Sequence, residues 1–125
     1  MNNLKLIKII KLKRGSKRKY QAIFQNKNKI IKRLFGLVNA TDYTTHKNVK
    51  RRNRYIKKHK KKLQSNNPTS SSYLSIYLLF QKKSLKSAIK DFKRRLVVYN
   101  KTGKFPKSIS NSVLKNKYQF KEVKN

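Results

Sequence analysis

Asp42, Tyr43 and His46 stand close together in the chain. A carboxylate beside an imidazole is the equipment of general acid–base catalysis. Such a pair needs a nucleophile or a third, orienting group to make a reactive site, and the sequence sets neither beside it. A structural role is the better expectation: Asp42 pairs with a nearby Arg or caps backbone N–H groups, and Tyr43 packs. The second histidine, His59, falls on an apolar helix seam with Tyr55 nearby and is expected as a packed, hydrogen-bonded core residue. Two His, three acids and no Cys, scattered along the chain, offer no metal-ligand cluster and exclude a disulfide framework. Three widely separated glycines make no phosphate-cradling loop. We therefore expect no enzymatic activity, no metal and no cofactor.

Positive charge is what the chain has in quantity. Thirty-six Lys and Arg stand against three acids in 125 residues, a formal net charge of +33. A compact domain so charged repels itself, and a polyanion is its natural counter-charge. The densest candidate is a predicted helix from His46 to Leu63. It carries Lys47, Lys50, Arg51, Arg54, Lys57, Lys58, Lys60, Lys61 and Lys62 and no acid. Lys and Arg so arranged can track phosphates and release counterions. Like charges one helical turn apart are mildly destabilising, which an anionic partner would relieve. Lys93, Arg94 and Arg95, near the end of a second helix, join them as candidates. The plain alternative is a solvated helix face in a Lys-biased composition.

The elements that must position these residues follow from periodicity. Leu4-Lys5-Leu6 and Ile10-Lys11-Leu12-Lys13 alternate apolar with basic, as in a half-buried strand. Gly15-Ser16 makes a turn, Lys19 to Gln25 a second strand with Tyr20, Ala22 and Phe24 on one face, and Lys29 to Phe35 a third. Short turns between sequential strands favour an antiparallel meander. Tyr20, Phe24 and Phe35 could stack bases; with so few apolar residues, core is the stronger expectation. Thr44 or Thr45 is the expected cap of the basic helix, with Val49, Arg52, Ile56, His59 and Leu63 on its seam. Gln64 to Ser72 reads as a linker. Tyr73 to Phe80 is a buried segment, either a short helix capped by Ser71 or Ser72 or a strand, with helix preferred. Ser84 to Leu96 is the clearest helix: Leu85, Ala88, Ile89, Phe92 and Leu96 trace one face.

The predicted class is therefore α+β: a small N-terminal antiparallel sheet of about three strands, then about three helices. Residues 1–99 would form the domain and 100–125 an extended basic arm that orders on a partner, anchored by Ile109, Val113, Leu114, Tyr118 and Phe120. Lys5, Lys8 and Lys11 interrupt the apolar residues of Met1 to Leu12, so a secretory signal is not expected there. The longest apolar run, Ile76 to Phe80, falls far short of the ~20 residues of a membrane span.

An ordered series of motifs runs through the middle of the chain. It comprises Phe35-Gly36, Asp42-Tyr43-Thr44, His46-Lys47, Arg51, Arg54-Tyr55-Ile56 and His59-Lys60-Lys61. Pro68-Thr69-Ser70, Leu74-Ser75, Tyr77, Leu79, Lys83 to Ser87, Ile89, Asp91-Phe92-Lys93 and Arg95 continue it. The series resembles a small domain of unknown function found in nucleocytoplasmic large DNA viruses, the giant viruses and their relatives. It implies a viral origin and a location in the virion, or in the host cytoplasm or viral factory during assembly. On that basis the first expectation is a minor capsid or internal virion component whose basic surface meets acidic capsid subunits, the inner membrane surface or packaged DNA. The alternative is a sequence-independent nucleic-acid-binding or genome-condensing protein. A third reading is an organellar ribosomal protein that binds rRNA.

Overall fold

Alternating side chains build the first layer. The computed structural model describes residues 3–109. Leu4–Lys11 (β1), Arg18–Asn26 (β2) and Lys29–Leu37 (β3) form an antiparallel sheet in the order β1-β2-β3. Leu4, Leu6, Ala22, Phe24 and Phe35 are buried on its inner face. The alternation expected through Ile10 and Leu12 is broken by a bulge between Leu6 and Lys8. The extra residue, Ile7, is 45% exposed, and beyond it Ile9, opposite Ala22, packs against the core. One inserted residue inverts which side chains face inward.

The sheet is followed by helical structure, which completes the predicted α+β fold. Tyr43–His46 (α1) and Val49–His59 (α2) lead into a 3-10 turn, Lys60–Ser65. Ser71–Leu74 (α3) continues as a π-helical segment, Ser75–Phe80, and Leu85–Thr102 (α4) closes the domain. The single basic helix expected from Thr44 or Thr45 to Leu63 is thus divided. Asp42 caps α1, Lys47 takes a left-handed φ of 53°, and Asn48 caps α2. Asp and Asn are better N-cap acceptors than Thr, and two of them so close together make two helix starts.

Tyr73 to Phe80 is helical, not extended, and its cap is Ser70, whose Oγ accepts from Tyr73 N. Ile76, Tyr77, Leu78, Leu79 and Phe80 are all buried, as befits a helix apolar on every side. The sheet and α4 both pack on this central segment. Phe24 and Phe92 face each other at 6.3 Å, and Tyr77 meets Phe105 at 5.1 Å. Tyr20 stacks on Phe35 at 5.5 Å, so the sheet aromatics serve the core.

Ser84 caps α4 as expected, but the helix runs on to Thr102. The boundary placed at residue 99 does not fall there. The Asn100 amide clamps β1 by accepting from Leu4 N and donating to Leu4 O, each at 2.9 Å. Phe105 is fully buried, and Tyr77 donates its hydroxyl to Lys107 O at 2.7 Å. Ile109 is buried too, so the stretch to residue 109 belongs to the domain. The anchors Val113, Leu114, Tyr118 and Phe120 lie outside the described residues. No helix among the described residues is long and apolar enough to cross a membrane.

Candidate polyanion-binding surface

The Asp42–His46 stretch is built as a corner. The Asp42 carboxylate accepts from Thr44 N at 3.0 Å and from the Thr44 hydroxyl. It also pairs with Lys19 Nζ at 2.8 Å, a lysine of β2 where an Arg had been expected. His46 Nδ1 accepts from Asn48 N at 2.8 Å, joining α1 to α2. Burial and the Arg51 guanidinium hold the imidazole below the usual histidine range, which favours the neutral ring this bond requires. Tyr43 is buried, with the Arg52 guanidinium 5.7 Å from its ring centre.

Arg52 itself is 1% exposed. It donates to Phe80 O at 3.1 Å and Gln81 O at 3.2 Å, at the C-terminal end of the π segment, and to Asn53 Oδ1 at 3.1 Å. Carbonyls at a helix C-terminus carry negative partial charge, so they take the place of an acid here.

His59 departs from its expected place. It is half-buried at the surface, where its ring lies 4.2 Å from Tyr55. Tyr55 in turn lies flat on Phe80, at 3.5 Å and 5°. Because α2 ends at His59 and tightens into the 3-10 turn, the heptad seam does not carry this residue into the core. Phe80, Tyr55 and His59 form a series of ring contacts from interior to surface, parallel between Phe80 and Tyr55 and tilted by 37° between Tyr55 and His59.

The cations sort into three groups. Lys50, Arg54, Lys57 and Lys58 are exposed on α2 at helical spacing, opposite buried Arg52 and Ile56, and exposed Lys61 extends this stripe into the 3-10 turn. The stripe is about 16 Å long at 1.5 Å per residue. Exposed Lys60 and Lys62 lie beside its end in the 3-10 turn. Arg51 is tied to Thr41 Oγ1 at 2.9 Å, and Lys47 donates to Thr44 O and Lys83 O. Lys93 and Arg94 are exposed on α4, away from the stripe, and Arg94 pairs with Asp91 at 2.6 Å.

Arg95 is a correction. It is buried, bonded to Asp91 at 2.6 Å, donates to Pro106 O, and lies 4.9 Å over the Tyr77 ring. Its position beside Leu96 turns it inward with the apolar face, so it holds the fold together and meets no polyanion. Burial raises the Asp91 carboxyl, but hydrogen bonds and charge from Arg95 and Arg94 outweigh this and hold it below its ordinary value. Both carboxylates among the described residues are therefore ion-paired within the fold.

Two adjoining clefts were not anticipated. One, of about 270 Å3, has Arg18, Lys62, Tyr55 and His59 in its walls. The other, of about 500 Å3, is lined by Lys11, Lys13 and Arg14 of the first hairpin. Arg18, Lys19 and Asp42 line both, so the clefts meet along that ion pair. A basic run flanking Gly15-Ser16, Lys13-Arg14 and Lys17-Arg18-Lys19, was the available signal.

The fold and this surface define a small, strongly basic α+β domain with an aromatic-walled cleft. Over residues 7–59 the chain is similar to a family of unknown function, DUF5754. That stretch spans most of β1 and all of β2, β3, α1 and α2. No curated protein and no solved structure matches the chain.

Proposed function

We propose that this chain is a non-enzymatic protein that binds nucleic-acid phosphate backbones without reading sequence. The carrying observation is the division of charge. Both described carboxylates are ion-paired within the fold, while Lys50, Arg54, Lys57 and Lys58 of α2 and Lys61 just beyond it stand exposed. Neutralising about five phosphates would give a slope of about −4.5 in log affinity against log salt. Affinity for any duplex would then fall about 500-fold between 50 and 200 mM salt. Changing the five stripe cations to Gln should remove most of that slope. Salt-insensitive binding, or none, would refute the proposal.

The giant-virus resemblance favours a second reading, a minor capsid or internal virion component. On this reading the same surface docks on acidic capsid subunits or the inner membrane. Disrupted particles separate the two. Recovery with the nucleoprotein core, released by nuclease, supports genome binding; fixed stoichiometry to the shell supports the architectural role; absence from purified particles refutes a virion location.

A further inference from the structure

The cleft beside α2 differs from the stripe in shape and in chemistry. Its volume is about 270 Å3, near the lower end of small-ligand pockets, which begin at about 300 Å3. That is the scale of one nucleotide and far too small for a duplex. Its aromatic wall is the Phe80–Tyr55–His59 ring series. Phe80 lies flat on Tyr55, and His59 meets Tyr55 at 4.2 Å with its ring tilted by 37°, so His59 is the last ring of the series. Among the described residues no further aromatic ring is stacked on His59.

Charge surrounds this platform. Arg18 and Lys62 line the cleft, and the Ser72 side of α3 borders it. Its one carboxylate, Asp42, is held by Lys19 and Thr44 and does not cancel the other cations. Burial and the charges of Lys62 and Lys58 hold the His59 imidazole below its usual range, which favours a neutral, stackable ring. The second cleft, with Lys11, Lys13 and Arg14, continues the basic path beyond the Lys19–Asp42 pair. A base–aromatic stack beside a basic groove is the arrangement that holds single strands.

We infer that this cleft seats one unstacked nucleotide of a single-stranded nucleic acid, its base on His59 and its phosphates between Arg18 and Lys62. The adjoining hairpin cleft carries the next stretch of backbone. The inference rests on the reading of the chain as a nucleic-acid binder and names a second substrate form, bound at a place distinct from the α2 stripe.

The test uses the full chain with a fluorescent single-stranded oligothymidine of about twelve nucleotides and, separately, a duplex. Binding is read by anisotropy, and the His59 ring resonances are followed by NMR. Stacking is worth about 1–3 kcal/mol per base, so His59→Ala should weaken single-strand binding at least about fivefold, while His59→Phe retains it. Arg18→Gln with Lys62→Gln should weaken it about tenfold, a larger loss than for the duplex. His59 is surface-placed, and wild-type melting in the Phe variant controls for folding. His59→Ala matching wild type, unmoved His59 resonances, equal loss of single-strand and duplex binding, or displacement by polyglutamate as readily as by oligonucleotide would each overturn the inference. The duplex arm reads the backbone proposal separately: a stripe variant that loses duplex yet keeps the single strand supports both sites, and wild-type protein that binds only the single strand refutes the backbone proposal alone.

Discussion

Replacing Arg95 by Met tests whether this cation belongs to the core or to the surface. The side chain is 5% exposed and bonded to Asp91 Oδ2 at 2.6 Å, with Pro106 O and the Tyr77 ring as further partners. The Gln81 amide, oriented to satisfy its neighbours, accepts from Arg95 Nη2 at 2.8 Å and donates to Asp91 Oδ2 at 3.0 Å. Removing one member of a buried pair costs about 3–5 kcal/mol, because the other charge is left without compensation. Asp91 keeps exposed Arg94, so the lower end applies, about 3 kcal/mol. For a domain of this size that lowers Tm by about 10–15 °C. The pair also fixes an acid limb. The folded Asp91 pKa is depressed, so its contribution is present above the unfolded value of about 3.9 and is lost as pH falls through the folded value. Thermal melts followed by circular dichroism should show Tm declining below about pH 6.5, where the lowered His46 and His59 values act, and falling further below about pH 4, with that second fall shallower in Asp91→Asn. Arg94→Gln should shift Tm by little, since exposed pairs contribute about 0–1 kcal/mol. A Tm loss under about 3 °C in Arg95→Met, together with a salt slope reduced as in a stripe variant, would refute the reasoning and return Arg95 to the surface.

Two further substitutions probe the fold. Phe105→Ala removes a fully buried ring that meets Tyr73, Tyr77 and Phe92. It should cost about 3–5 kcal/mol in urea denaturation, and a cost under about 1 kcal/mol would return the segment after α4 to a dispensable arm. Gly36 holds φ +82°, and an added Cβ would lie 3.0 Å from Leu79 Cδ1 and 3.3 Å from Lys19 Cβ. Gly36→Ala should therefore destabilise by about 1–3 kcal/mol, seen as a lower urea midpoint at unchanged slope.

Local pattern revealed the elements, and three-dimensional closure revealed the rest. Strand β2 was readable because Tyr20, Ala22 and Phe24 share one face at a spacing of two, and β3 because Lys29 to Phe35 follows the polar Asn26-Lys27-Asn28 tip. Helix α4 was readable from Leu85, Ala88, Ile89, Phe92 and Leu96. The bulge at Ile7 was not, because an apolar run of Ile7, Ile9 and Ile10 suits either register. The continuation of α4 to Thr102 was hidden by polar Asn100 and Lys101, whose positions make sense only once Asn100 is seen clamping Leu4 from 96 residues away. Arg95 looked like its neighbours Lys93 and Arg94, and only Pro106 and the Tyr77 ring, brought round by the fold, separate them. The basic helix was legible in the sequence; the clefts were not, since one joins β2, α2 and α3 and the other joins the first hairpin to α1.

The internal ion pairs bear on how so cationic a chain folds at all. Its core is small, with 36% hydrophobic residues against a net charge of +33, so self-repulsion acts on a modest apolar gain. The fold pairs its two described carboxylates internally: Asp42 at the α1 corner against Lys19, and Asp91 against Arg95 within α4. Arg52 is held by carbonyls and needs no acid. The exposed cations of α2 are left mutually repelling at helical spacing, a strain that a phosphate backbone relieves. Folding and binding are then linked: a polyanion that favours the folded chain stabilises it by about 2.7 kcal/mol at a hundredfold excess over Kd. Duplex DNA at low salt should raise Tm by about 10 °C, and the gain should vanish at high salt along with binding. The five-Gln stripe variant should melt higher than wild type without DNA, because the repulsion is gone, and gain less from its addition. A stripe variant that melts lower than wild type would show that these lysines stabilise the fold by their packing, and the linkage argument would fail.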